Sequence, residues 1–338
     1  MDTSLKIPFP CRINPHLEQV REANIAWLIE HEMMDEGLSV ERYLDGDYAR
    51  LFCMANPDAD LEDMQMLVDF EMFMFVYDDQ FTGARGRVLT SPIEAMGEFM
   101  TLMYTEGGRA AQPRSRLGRA FNDLIPRMTR GMSQEWKQQF FWSCQRYFVG
   151  YIHETENRIR GGERLDLTLY LKQRQWALGT EPCFDLIELV SNFELSTLMR
   201  SNPYILGMRE NASDFITFSN DIDSIHKEEL LGDPNNAILL LERNAGMTRA
   251  GALTKVRTMA QDFIDQFQHR AGRLRASPPY RACSSEERAG IDCYVKGLED
   301  WMVGYYEWST KTRRYSSENA SRESGPWSSK DLLSRLLA

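Results

Sequence analysis

Apolar residues recur every three to four positions along this chain, in long stretches separated by short polar breaks, which predicts helix after helix. The pattern places helices at roughly 16–34, 60–80, 91–106, 115–130, 133–160, 166–179, 181–199, 211–229, 248–274 and 284–313. Strand-like alternation is scarce. The breaks carry Gly, Pro and Ser: Thr82-Gly83-Ala84-Arg85-Gly86, Gly107-Gly108 through Pro113, Gly161-Gly162 and Ser201-Asn202-Pro203. No break is long enough to link independent domains, and no internal repeat is present. The expectation is one all-α domain over 1–315, followed by a polar, mobile tail over 316–338.

Composition narrows the function classes. The chain has 338 residues, 43% of them hydrophobic, enough to bury a sizeable core. A net charge of −11 without a broad basic stripe argues against a nucleic-acid partner. No run of about 18 apolar residues predicts a membrane span. Met1 to Pro10 lacks the charged and apolar regions of a secretory signal. The six cysteines (Cys11, Cys53, Cys144, Cys183, Cys283, Cys293) are scattered without a Cys-x-x-Cys pair, which suits reduced thiols in a cytoplasmic protein. The five histidines show no zinc spacing. The expected assembly is a monomer or homodimer.

Two oxygen-rich motifs carry the candidate chemistry. Helix 60–80 is crowded with large apolar residues and ends in Asp78-Asp79. Carboxylates at a helix C-terminus oppose the macrodipole unless a cation compensates. Alone, such a pair is more often a solvated helix end than a ligand set. The second motif is Asn220-Asp221-Ile222-Asp223-Ser224-Ile225-His226-Lys227-Glu228. Asn220, Ser224 and Glu228 fall at i, i+4 and i+8, so a helix stacks them on one stripe. Oxygen ligands suit Mg²⁺ rather than zinc or copper. Each face has too few ligands to cage an ion alone, which points to metals shared with a phosphorylated substrate. Arg174 and the pair Arg314-Tyr315 offer donors for phosphate oxygens, although a typical Arg is a surface charge. Phe75, Trp176 and Trp308 are candidates for cavity-lining rings, where an aromatic face stabilises a cation.

The chain resembles the bacterial class I terpene synthases of the sesquiterpene cyclase type. The resemblance runs from Ile7-Pro8-Phe9-Pro10 to Arg314-Tyr315. It rests on the aspartate-rich start Asp78-Asp79, the complete Asn220/Ser224/Lys227/Glu228 motif, the upstream Arg174 and the terminal Arg-Tyr pair. The family's aspartate-rich motif has an acid at its fifth or sixth position; here those positions are Thr82 and Gly83.

The resemblance implies a helical bundle around a central apolar cavity. It implies three Mg²⁺ ions (Mn²⁺ as a substitute) and a prenyl diphosphate substrate. Asp78, with Asp79 beside it, and Asn220, Ser224 and Glu228 would be the metal ligands. Arg174, Lys227, Arg314 and Tyr315 would donate to the diphosphate, and the sensor stretch through Ala177 and Leu178 would contribute backbone. Met74, Phe75 and Trp308 would line the wall. Segments 82–90 and 313–320 would close over the site. The expected activity is ionisation and cyclisation of farnesyl diphosphate to a sesquiterpene, with geranyl or geranylgeranyl diphosphate as alternatives. Two other readings are a chain-elongating prenyltransferase, which would carry a second aspartate-rich motif, and a degenerate diphosphate-binding protein.

Overall fold

The computed structural model describes residues 5–81, 87–105, 112–163, 165–315 and 327–334. The described residues form fifteen helices and no strand: α1 (Leu17–Glu30), α2 (Leu38–Gly46), α3 (Tyr48–Ala55), α4 (Leu61–Asp79), α5 (Thr90–Tyr104), α6 (Arg116–Met128), α7 (Gln134–Ile159), α8 (Leu167–Ala177), α9 (Thr180–Val190), α10 (Thr197–Arg200), α11 (Pro203–Leu231), α12 (Ala237–Ala245), α13 (Arg249–Ala276), α14 (Pro278–Ala282) and α15 (Ser285–Ser309). Side-chain caps start many of them. Asp60 caps α4 through the Asp63 N–H, Ser133 caps α7 through Trp136, and Asp166 caps α8 through Leu169. Ser284 and Glu287 form a reciprocal capping box on α15. The helices pack into one bundle: α4 packs on α1, α3 and α6, α7 on α8 and α9, α11 on α13, and α15 on α3 and α11.

The periodicity reading holds for the long helices and differs in several shorter elements. The stretch expected as one helix over 181–199 breaks after Val190, because Asn192 adopts a left-handed backbone (φ 49°) that ends the helix. The central helix α11 starts at Pro203 rather than near 211. Asn202 caps it, and Pro203 occupies the first position, where its missing N–H costs no hydrogen bond. Helices α2, α3, α12 and α14 had no counterpart in the pattern. In α3 all residues but Arg50 are buried, and eight residues are too few for a periodic pattern to stand out.

The expected free tail is corrected where it is described. Trp327 and Leu332 are buried. The Arg42 guanidinium lies 4.0 Å from the Trp327 ring centre, and Ser39 donates to the Trp327 carbonyl at 2.8 Å. Burial of a large aromatic ring stabilises the docked segment and offsets the entropy of ordering it. Residues 316–326 and 335–338 lie outside the described residues.

Candidate active site

The end of α4 separates its two aspartates. Adjacent residues on a helix point about 100° apart. Asp78 opens on the cavity and accepts a hydrogen bond from the Tyr151 hydroxyl at 3.1 Å. Burial and the neighbouring Asp79 push its carboxyl up, while Lys227 and Arg314 pull it down. Asp79 is buried on the other side of the helix. It pairs with Arg42 at 2.7 Å and accepts from the Trp327 indole N–H. The expectation that Asp79 joins Asp78 as a metal ligand is therefore corrected: its carboxylate holds α4 against α2 and the C-terminal segment. Thr82 and Gly83 lie outside the described residues, as does most of the segment expected to close.

On α11 the Asn220, Ser224 and Glu228 stripe is intact. The Ser224 hydroxyl lies 2.9 Å from the Glu228 carboxylate and 2.7 Å from the Asn220 carbonyl, with one proton to donate between them. Asn220 donates to the hydroxyls of Tyr305 and Tyr315, at 3.0 and 3.1 Å. Its side-chain oxygen accepts from Arg174 at 3.0 Å. Burial, with Asp221 and Asp233 nearby, pushes the Glu228 carboxyl up to about 8. Its ionised form thus lacks sufficient compensating charge, and a bound cation would supply it. Among the described residues no three His, Cys, Asp or Glu side chains converge as a complete cage. Hard oxygen donors on two facing walls, one of them an under-compensated carboxylate, fit a hard divalent ion whose remaining ligands come from elsewhere. Asp221 has a separate task. It accepts from the Tyr170 hydroxyl at 2.6 Å and from the Ala237 N–H at 3.0 Å, tying α8 and α12 to α11.

Between these walls lies a small polar chamber that also receives Arg174, Lys227, Arg314 and Tyr315, all singled out from sequence. Arg174 is held by Glu154 at 2.6 Å. Arg314 donates to the Tyr48 hydroxyl at 2.5 Å and lies 4.7 Å from the Phe75 ring centre. Three cationic side chains and one hydroxyl donor converge on this chamber, where they can donate to the oxygens of a polyanion.

The polar chamber shares Asp78, Arg174, Asn220, Arg314 and Tyr315 with an apolar cavity of about 120 Å³. A water needs only about 10–15 Å³ by the same measure, so the cavity suits an organic group. Met74 and Phe75 line it, as expected. Trp308 does not. It is buried behind Phe75, with ring centres 6.5 Å apart, and its indole donates to the Gly46 carbonyl at 2.8 Å. Trp301, one turn-pair earlier on α15, takes the wall position instead. Trp176 is also off the wall, beside His153. The break between α8 and α9 closes one side. There Gly179 has φ +79°, and a side chain on it would strike the Met74 methyl and the Tyr147 ring.

Several site residues escaped the sequence reading. Glu154 and Arg158, an i,i+4 pair on α7, orient Arg174 and bind Asp233, and only their spacing hinted at a pairing. Asn236 donates to Glu228 at 2.6 Å from the start of α12. Tyr151 and Tyr305 line the cavity and carried no sequence signal of their own.

The profile described as terpene synthase family 2, C-terminal metal binding, matches residues 69–266, which hold both oxygen-rich walls. The chain belongs to the terpene synthase family. It is an enzyme, a terpene synthase, of the lyases that act on prenyl diphosphates. The synthase is 31% identical to pristinol synthase from Streptomyces pristinaespiralis, over 96% of this chain and 88% of that protein. It is 29% identical to a (-)-beta-caryophyllene synthase from Saccharothrix espanaensis, over 98% and 94% of the two chains. Its fold matches the crystal structure of germacradien-4-ol synthase from Streptomyces citricolor with a TM-score of 0.82 at 27% identity, covering 92% of this chain and 99% of that one. These agree with the all-α class I fold expected from the motifs. No described helix is long and apolar enough to cross a membrane.

Proposed function

We propose that the synthase ionises and cyclises farnesyl diphosphate to a sesquiterpene with Mg²⁺ and releases diphosphate. The observation that carries this reading is the junction of the two chambers. Oxygen donors on α4 and α11 face each other beside Arg174, Lys227 and Arg314, and this polar mouth opens on an apolar cavity. The caryophyllene synthase relative is itself named as cyclizing (2E,6E)-farnesyl diphosphate, which supports the fifteen-carbon substrate.

In this reading Asp78 on one wall and Asn220, Ser224 and Glu228 on the other hold the metal, three ions in all. When bound, the ions offset the negative charge that develops on the departing diphosphate. Arg174, Lys227, Arg314 and the Tyr315 hydroxyl donate to the diphosphate oxygens and fix its orientation. Glu154 keeps Arg174 aimed, as their 2.6 Å ion pair requires. The wall from Met74, Phe75, Ile216 and Trp301 folds the hydrocarbon and excludes water, which would otherwise quench the carbocation. Aromatic faces such as Phe75 stabilise the travelling charge by about 0.5–2 kcal/mol each. The released diphosphate, still held by the arginines, is the nearest base to the polar mouth.

The test is incubation of the full-length protein with Mg²⁺ and, separately, geranyl, farnesyl and geranylgeranyl diphosphate. The organic extract is analysed by gas chromatography and mass spectrometry. A cyclic C15 hydrocarbon or alcohol from farnesyl diphosphate is expected. A cyclic product from one of the other two would move the chain length. Unreacted substrate in all three would overturn the reading in favour of a degenerate diphosphate binder.

A further inference from the structure

Glu71 is the odd residue of the apolar cavity. It lies on α4 with Met74, Phe75 and Asp78 at i, i+3, i+4 and i+7, so all four share the face that lines the cavity. Seven residues of helix place it about 10 Å deeper than Asp78, beside the hydrocarbon rather than the diphosphate. Its side chain is 2% exposed, and neither carboxyl oxygen has a hydrogen-bond partner among the described residues. Buried carboxyl groups are almost always paired, because an unpaired one forfeits its hydration. Nothing near it makes up the loss. Burial pushes its carboxyl well above the usual carboxylate range, and no neighbouring charge opposes that shift. The thiols of Cys53 and Cys183 are within its electrostatic reach and would themselves be pushed up by its charge. The Trp301 indole N–H, on the same cavity, also has no partner. Neither residue belongs to the diphosphate machinery.

We infer that Glu71 is a catalytic acid and base acting on carbon: it protonates a neutral cyclic olefin held in the cavity and later takes a proton back. This rests on the cavity being where a prenyl diphosphate is ionised. The first allylic cation closes a ring and loses a proton to the released diphosphate, leaving a neutral olefin. The Glu71 O–H then adds its proton to a carbon–carbon double bond. The π pair forms the new C–H bond, the adjoining carbon becomes positive, and Glu71 becomes a carboxylate. After the second closure, the carboxylate removes a proton from the carbon next to the charge. That C–H pair becomes the product double bond, and Glu71 is again a neutral acid. A carboxylic acid can do this only if nothing else occupies its proton, which is the state the structure holds it in.

The test uses full-length wild type and Glu71→Gln with Mg²⁺ and the three prenyl diphosphates, in H2O and in D2O. Diphosphate release and product mass are both followed. Glu71 exchanges its proton with solvent as product leaves, so the wild-type product in D2O gains one deuterium on carbon. E71Q releases diphosphate but yields a less cyclised, unlabelled olefin, and the labelled product falls by about 10²-fold or more. Glu71→Asp restores part of the labelled product. An unlabelled wild-type product overturns the inference, and so does E71Q forming the same labelled product. If E71Q fails to fold, the wild-type label and E71D decide. Release of diphosphate without label would sink the Glu71 role alone; no release from any substrate by wild type would sink it together with the proposed function.

Discussion

The two oxygen-rich walls of the site are built on opposite principles. On α11 the donors repeat every four residues, and all three face one chamber. On α4 the acids are neighbours, and the helix turns one into the chamber and the other into the body of the protein. Periodicity gathers side chains on a helix, whereas adjacency divides them. Asp78 and Asp79 therefore belong to different functions, one to the site and one to the anchoring of α2 and the C-terminal segment.

The sharpest way to break that contrast is to replace each aspartate in turn. Asp78→Ala is expected to cut turnover of farnesyl diphosphate on the order of 10³-fold, with little change in unfolding midpoint. A near-normal rate would remove Asp78 from the site. Asp79→Ala should do the reverse. It removes the buried carboxylate that pairs with the Arg42 guanidinium at 2.7 Å and accepts from the Trp327 indole N–H. Loss of one partner of a buried pair costs about 3–5 kcal/mol, read in a urea titration. An unchanged midpoint with lost Mg²⁺ response would reverse the division.

The α11 wall is probed by pH. The folded-state Glu228 carboxyl is pushed up to about 8, and Asp221 to about 6, both above ordinary carboxylate values. In that window the folded state binds more protons than the unfolded chain, so stability of the metal-free protein falls as pH rises from about 5 to about 8. Metal binding needs the ionised carboxylate, so stabilisation by Mg²⁺ with diphosphate grows over the same range. Thermal melts at several pH values, with Glu228→Gln as the flattened control, check both slopes. Parallel, pH-independent curves would remove Glu228 from the metal face. The smallest effect on rate is expected at the apolar wall. Ile216→Ala should change the product mixture while turnover stays within about tenfold, since a few methylenes are worth about 1–3 kcal/mol in shape selection. An unchanged product profile by gas chromatography would place Ile216 outside the folding surface of the substrate.

Much of this was readable beforehand where local rules act alone. The long helices follow from apolar spacing and from caps such as Ser284 with Glu287. The Asn220, Ser224 and Glu228 stripe follows from helical geometry. Helix α3 was hidden because its eight residues make barely two turns, too few for a period to stand out. The role of Trp308 was misassigned because every tryptophan in the chain looks alike until packing puts Trp301 on the cavity and Trp308 behind Phe75.

The sequence by itself determined the helical class, the stacked donors of α11 and the cationic residues near them. Each of these depends on spacing within one segment or on the identity of the side chain. Only the tertiary structure decided that Asp79 pairs with Arg42 and Trp327, that Glu154 holds Arg174, and that Glu71 is left without a partner inside an apolar cavity. Those facts depend on which segments meet across tens to hundreds of residues, and on the desolvation and pairing that follow when they do.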